Sequence, residues 1–149
     1  YMRLELFDSI RLKNQKFDLH SFGQELDLSE LSNEEINLLN GTIRNRDILR
    51  EAKIELDKAS PDHQLIGSLL NDHHSILRDD LHVSTKKIER MLEAAISAGA
   101  IGGKINGSGG GGCMFAYAPE DPNAVASAIE SAGGKAHIIT ADEGTKFLI

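Results

Sequence analysis

Apolar positions lay out the helices of this chain. Ile88, Met91, Leu92, Ala95 and Ile96 stand at i, i+3, i+4, i+7 and i+8, the spacing that puts five side chains on one stripe of a helix. Ser84 is expected to open that helix. Gly99 sits where a C-terminal cap belongs, because glycine tolerates left-handed backbone past the last turn. One helix earlier, Leu65, Ile66, Leu69, Leu70, His73, Ile76 and Leu77 form the expected inward face. Ser60-Pro61 is its start signal, since proline fits the first turn. A longer helical region opens at Ser32, where Glu35 completes a capping-box spacing. Ile48, Leu49, Ala52, Leu56 and Ala59 are read as its buried face, and Gly41 as a break or a close contact. Leu6, Phe7 and Ile10 suggest a first helix near residues 2–13, and Asn14 to Leu31 reads as a looped connection.

Beyond Gly99 the pattern changes. Ile101–Asn106 and Cys113–Ala118 read as short strands around a loop from Gly107 to Gly112. Asp121-Pro122 then caps a helix with Val125, Ala128, Ile129 and Ala132 inward, ending at Gly133-Gly134. Two last strands are expected at Lys135–Thr140 and Lys146–Ile149. Helix, strand, strand, helix, strand in that order predicts an α+β fold, an antiparallel sheet backed by helices. A ferredoxin-like split β-α-β arrangement is the natural candidate. With no low-complexity linker in sight, residues 1–149 read as a single domain.

Composition narrows the function classes. Sixteen basic against 23 acidic side chains give a formal charge of −7, which argues against a broad nucleic-acid surface. No apolar run approaches the roughly 20 residues that cross a membrane. Tyr1-Met2-Arg3-Leu4-Glu5 carries no signal-peptide pattern, and a first residue other than Met suggests numbering that begins inside a longer chain. The lone Cys113 cannot form an internal disulfide, which suits a reducing cytoplasm, and it is expected to be a small buried apolar residue.

Candidate chemistry concentrates in glycine. Eight of the 14 glycines fall between Gly99 and Gly112, and the core is Gly107-Ser108-Gly109-Gly110-Gly111-Gly112. Ordering such a run costs more backbone entropy than any other composition. A turn needs one or two glycines, so the excess favours close approach of a ligand or of another part of the same protein. Exposed amides in such a loop can nest phosphate oxygens. Gly107, Gly109 and Gly112 match G-x-G-x-x-G in letters, but that fingerprint needs a following helix, and a strand is expected. A Walker loop fails because Cys113 stands where its lysine would be. Lys104, just before the loop, reads as a solvated strand residue.

The stretch Asn71-Asp72-His73-His74-Ser75-Ile76-Leu77-Arg78-Asp79-Asp80-Leu81-His82 invites a metal reading. Ligands on one helix face need i, i+3 or i+4 spacing, whereas adjacent His73 and His74 diverge by about 100°. No metal site is therefore expected. Local pairing of Arg78 with an aspartate at a solvated helix end accounts for the charges. Asp79 and Asp80 could each act as a base, but their positions alone give no reason to choose that role.

Gly103-Lys104-Ile105-Asn106-Gly107-Ser108-Gly109-Gly110-Gly111-Gly112-Cys113 resembles the third signature motif of the GHMP kinases, the superfamily of galactokinase, homoserine kinase, mevalonate kinase and phosphomevalonate kinase. The Asn71–Ser84 segment, with its Leu-Arg-Asp-Asp and Val-Ser elements, looks like the stretch that precedes this motif in galactokinases. The resemblance covers roughly residues 45–149. It implies the C-terminal domain of an ATP-dependent sugar kinase. A separate N-terminal kinase domain, the partner, would hold the catalytic aspartate, the phosphate loop and most contacts to ATP and Mg²⁺. On that reading no catalytic residue lies in this chain, and the chain alone would be inactive. Gly107, Ser108, Gly109, Gly110, Gly111 and Gly112 would form a wall of the nucleotide and substrate site, bracing the phosphate loop. The usual galactokinase form has Phe within the glycines; its absence here is closer to the mevalonate-kinase version. A mevalonate-like kinase therefore stays open, as do a stand-alone ferredoxin-like module that binds a small anion and a dimerising domain.

Overall fold

The computed structural model describes Asp8, Ile10, Asp18, Leu28, Ser29 and residues 31–140. Helix α1 spans Asn33–Leu56, α2 His63–Asp79 and α3 Lys86–Ser97; strands β1, Gly102–Asn106, and β2, Cys113–Tyr117, follow, and α4 spans Pro122–Ser131. The class is α+β, as the order of elements predicts, with β1 and β2 antiparallel in the register Gly102↔Tyr117 to Asn106↔Cys113. No helix among the described residues is long and apolar enough to cross a membrane.

Capping fixes the helix starts. Ser32 and Glu35 form the expected reciprocal box, each side chain accepting from the other's amide, at 3.3 Å and 2.9 Å. The second helix departs from expectation. Asp62, not Ser60, is its cap, with Oδ1 accepting from the amides of Gln64 at 2.9 Å and Leu65 at 3.1 Å. Buried Glu55 at the end of α1 accepts the Asp62 amide at 2.7 Å and so sets where α2 begins. Thr85 rather than Ser84 caps α3, because the Ser84 hydroxyl is engaged by Glu89. Gly99 takes φ +106 at the end of α3, as a C-terminal cap requires.

Along α1, Ile48, Ala52 and Glu55 point inward, while Leu49 and Leu56, expected inside, are exposed. Each follows an inward residue by one position, about 100° around the helix. Gly41 marks a close contact and no break: a Cβ there would lie 3.1 Å from the Asp80 Cβ and 3.2 Å from Ile76. In α2, Ile66, Leu69 and Ile76 are buried as expected, and His74 is more deeply buried than His73. In α3 the stripe of Ile88, Met91, Leu92 and Ala95 is buried, but Ile96 at its rim is exposed.

Three apolar clusters result. Ile10, Leu38, Leu39, Ile48, Leu69, Ile76 and Leu81 fill the space between α1 and α2. Ile88, Met91, Leu92 and Ile105 join α3 to β1, and Ala95, Ala100 and Val125 join α3 to α4. Each fully buried aliphatic side chain, such as Leu39, Ile76, Ile88 or Ile105, contributes about 1.5–3 kcal/mol. Residues 135–140 have no regular secondary structure, contrary to the strand expected there. Ile138 and Ile139 are exposed, so no buried face fixes an alternating strand in that segment. The other expected strand, 146–149, and most of the helix near 2–13 lie outside the described residues, although Asp8 and Ile10 are helical.

Candidate functional site

β1 and β2 form a hairpin whose tip is the glycine loop. A strand and not a helix follows the loop, so the dinucleotide fingerprint is excluded by context. Gly107, Gly109, Gly110, Gly111 and Gly112 all have φ between +77° and +128°, which explains five glycines where one or two would make a turn. Around Gly107, Gly111 and Gly112 an added Cβ would meet nothing within 4 Å, so that part of the tip faces open space. Gly109 is different. A Cβ there would lie 2.5 Å from the Cβ of Val83 and 2.8 Å from its carbonyl oxygen. Gly110 donates its amide to that same carbonyl at 2.7 Å. The middle of the loop is thus pinned to the segment that links α2 to α3.

That segment is shaped by the end of α2. The amides of Leu81 and Val83 return to the carbonyls of Ile76 at 3.0 Å and Leu77 at 2.9 Å, with His82 at φ +49 between them. The turn carries Val83 back against the helix end, within reach of the loop. Arg78 grips Asp79 with two contacts of 2.7 Å and 2.8 Å and reaches Glu89 at 3.4 Å. Hydrogen bonding from Arg78 holds the Asp79 carboxyl below its usual range. Asp80 lies against Gly41 of α1. One carboxylate is therefore engaged by an arginine and the other is turned to a neighbouring helix.

β1 is held from its other side by α2. The Asn71 Oδ1 accepts the Gly103 amide at 3.0 Å, and its Nδ2 donates to the Ile101 carbonyl at 3.2 Å. One turn on, His74 Nδ1 accepts the Ile105 amide at 3.2 Å, and Nε2 faces Glu89 Oε1 at 2.9 Å. Two side chains thus satisfy the strand edge that β2 leaves unpaired. The backbones come close enough for this because glycine meets glycine: a Cβ on Gly102 would sit 2.2 Å from the Gly67 carbonyl oxygen. Burial raises the Glu89 carboxyl, but Ser84, His74 and Arg78 together bring it below the ordinary value.

Lys104 departs from the solvated residue expected. It is half-buried, donates Nζ to the Ile105 carbonyl at 2.8 Å and lies 5.4 Å from the Phe115 ring centroid. Burial lowers its pKa. Cys113, expected inside, is exposed, because it opens β2 opposite exposed Asn106 at the loop end of the hairpin. A groove of about 470 Å³ runs between α2 and α3, lined by Asn71, His74, Arg78, Glu89 and Glu93 among others. Among the described residues no three His, Cys, Asp or Glu side chains converge as a metal site would require.

The pairing Asn71–His74 was not singled out from the sequence, although both residues sit one helical turn apart and face the same strand. The adjacent His73 drew the inward assignment. The available signal was Gly67, one turn before Asn71, which marks where a backbone approaches the helix.

The segment that carries the hairpin and its supporting helices also carries a family's sequence pattern. Residues 49–135 match the family described as GHMP kinases C terminal, and the chain belongs to that family. Among its relatives, the mevalonate kinase of Thermococcus onnurineus is 51% identical over 82 residues, 54% of this chain and 24% of that protein. The mevalonate kinase of Pyrococcus horikoshii is 49% identical over 84 residues, 55% of this chain and 25% of that protein. The galactokinase of Mycobacterium tuberculosis is 35% identical over 82 residues, 52% of this chain and 23% of that protein. The chain spans about a quarter of the length of these relatives.

Proposed function

We propose that this chain is the C-terminal domain of an ATP-dependent small-molecule kinase whose substrate alcohol is of the mevalonate kind. The observation that carries the reading is the 51% identity to a mevalonate kinase, against 35% to a galactokinase, over matches of the same length. The glycine loop without Phe supports the same choice. A sugar as substrate becomes the second reading, favoured only by the galactokinase-like run Leu77-Arg78-Asp79-Asp80.

In such a transfer the substrate oxygen forms a bond to the γ-phosphorus, the bond to the bridging oxygen of ADP breaks, and the hydroxyl proton goes to a base. Rate comes from positioning and from charge offset at the phosphoryl oxygens. The donor set of this chain fits a bracing role. Gly110 already gives its amide to Val83, the loop holds no Lys or Arg, and Lys104 gives its ammonium to the Ile105 carbonyl. Gly107, Ser108, Gly109, Gly110, Gly111 and Gly112 would then shape the wall of the nucleotide and substrate site, with an N-terminal kinase domain as partner. ATP binding would rest mainly on that domain. Mg²⁺, when bound, would offset charge on the phosphoryl group, and the N-terminal domain would hold it.

The test is phosphoryl transfer by the full-length protein with ATP, Mg²⁺ and a panel of mevalonate, galactose and homoserine. Turnover on mevalonate supports the reading, and turnover on galactose alone replaces it with the sugar kinase. The 149-residue chain by itself is expected to show no turnover, and activity in the pure chain would refute the division of labour.

A further inference from the structure

Both ends of the glycine loop's support meet at one side chain. β1 enters the loop directly, and its Ile105 amide rests on His74 Nδ1 at 3.2 Å. The loop's midpoint rests on the Val83 carbonyl through Gly110 at 2.7 Å. Val83 is followed by Ser84, whose hydroxyl donates to Glu89 Oε1, the same oxygen that faces His74 Nε2 at 2.9 Å. A chain of contacts thus runs from Ile105 through His74, Glu89 and Ser84 to Val83 and Gly110.

The protons in that chain are determined by its ends. A backbone amide can only donate, so Nδ1 must present its lone pair. In a neutral ring the proton is then on Nε2, where a carboxylate oxygen waits to accept it. Glu89 is ionised in this arrangement, since it receives from Ser84, His74 and Arg78 at once. We propose that His74, as the neutral ring protonated at Nε2, is a positioning residue that sets the glycine loop, coupling the strand entering the loop to the carbonyl that pins its middle.

His74 is 6% exposed and makes these contacts from the middle of α2, so its ring cannot swing to water without leaving both partners. Among the hydrogen bonds made by α2 side chains, those of His74 alone join β1 to α3: Asn71 bonds the backbone of Ile101 and Gly103, and Arg78 bonds carboxylates. The inference rests on the kinase reading only for its consequence in catalysis; the proton placement and the loop coupling stand on geometry.

The test begins with the unaltered full-length protein, labelled with ¹⁵N in its histidines. Long-range proton–nitrogen correlation should show His74 with a bare Nδ1 and a protonated Nε2; a protonated Nδ1 would overturn the proposal. Two variants then separate the two contacts. His74→Asn can keep an acceptor for Ile105 and gives up Glu89, whereas His74→Gln can reach Glu89 and gives up Ile105. Each should speed hydrogen exchange at the Gly110 amide about tenfold, the factor that corresponds to about 1.4 kcal/mol. The amides of α4 serve as the folding control and should stay protected. Unchanged Gly110 exchange in variants that keep α4 protected would overturn the coupling. If the full-length protein is a kinase, both variants should lower kcat more than they raise KM for the alcohol. A full-length protein inactive on every alcohol tested would remove the kinase reading and leave the tautomer and exchange results to decide this proposal.

Discussion

Replacing Gly102 by alanine tests how α2 and β1 are held together. The new methyl would fall 2.2 Å from the Gly67 carbonyl oxygen, 2.6 Å from its Cα and 2.7 Å from its carbonyl carbon. All three are helix backbone, so no side chain can turn aside. Ordinary contact begins near 3.5 Å, and β1 must retreat by roughly 1 Å. That retreat stretches the Asn71–Gly103, Asn71–Ile101 and His74–Ile105 hydrogen bonds, now 3.0, 3.2 and 3.2 Å, beyond useful length. Overpacking alone costs about 1–3 kcal/mol. Losing three hydrogen bonds of about 0.5–1.5 kcal/mol each brings the expected loss to about 2.5–7.5 kcal/mol. Gly107→Ala is the comparison, with φ +83 and open space, where left-handed strain costs about 1–2 kcal/mol. Urea unfolding of both variants gives the values through the shift in midpoint at constant slope. Adding Asn71→Ala completes a cycle: in the Gly102→Ala background it should cost far less than in the unaltered protein. The reasoning is refuted if Gly102→Ala costs no more than Gly107→Ala, or if the two changes add.

His73 is pushed down to about 4, first by burial and then by the charge of Lys104. The folded state therefore favours the neutral ring, so its stabilising effect is complete above pH 6.5 and drains away towards pH 4. A His73→Leu variant should lose less stability than the parent across that window, measured by urea unfolding at stepped pH. Asp62→Ala removes the cap on α2 and should cost about 1 kcal/mol, read as a lower thermal midpoint. Cys113, exposed at the hairpin, should react with a thiol reagent in the native protein as fast as in urea. Labelling that needs unfolding would place it inside.

The local rules were legible because they depend on residues close in the chain. The Ser32–Glu35 box, the α3 stripe from Ile88 to Ala95, the Asp121-Pro122 start and the positions of β1 and β2 all follow from spacing within a turn or a strand. The glycine run likewise signals close approach, which Gly109 makes to Val83. Tertiary contacts decided the rest. Ser60 and Ser84 are both good caps by type, yet Asp62 and Thr85 took the role: Glu55 fixes the amide of Asp62, and Glu89 occupies the hydroxyl of Ser84. Periodicity placed His73 and His74 about 100° apart but could not say which faced β1. Only the meeting of Gly67 with Gly102 brought the strand near enough for His74 to bond it. Sequence by itself determined the elements and the family pattern. Packing between helix and strand decided which polar groups support the loop, because a hydrogen bond across 31 residues depends on distance in space and leaves no local period to read.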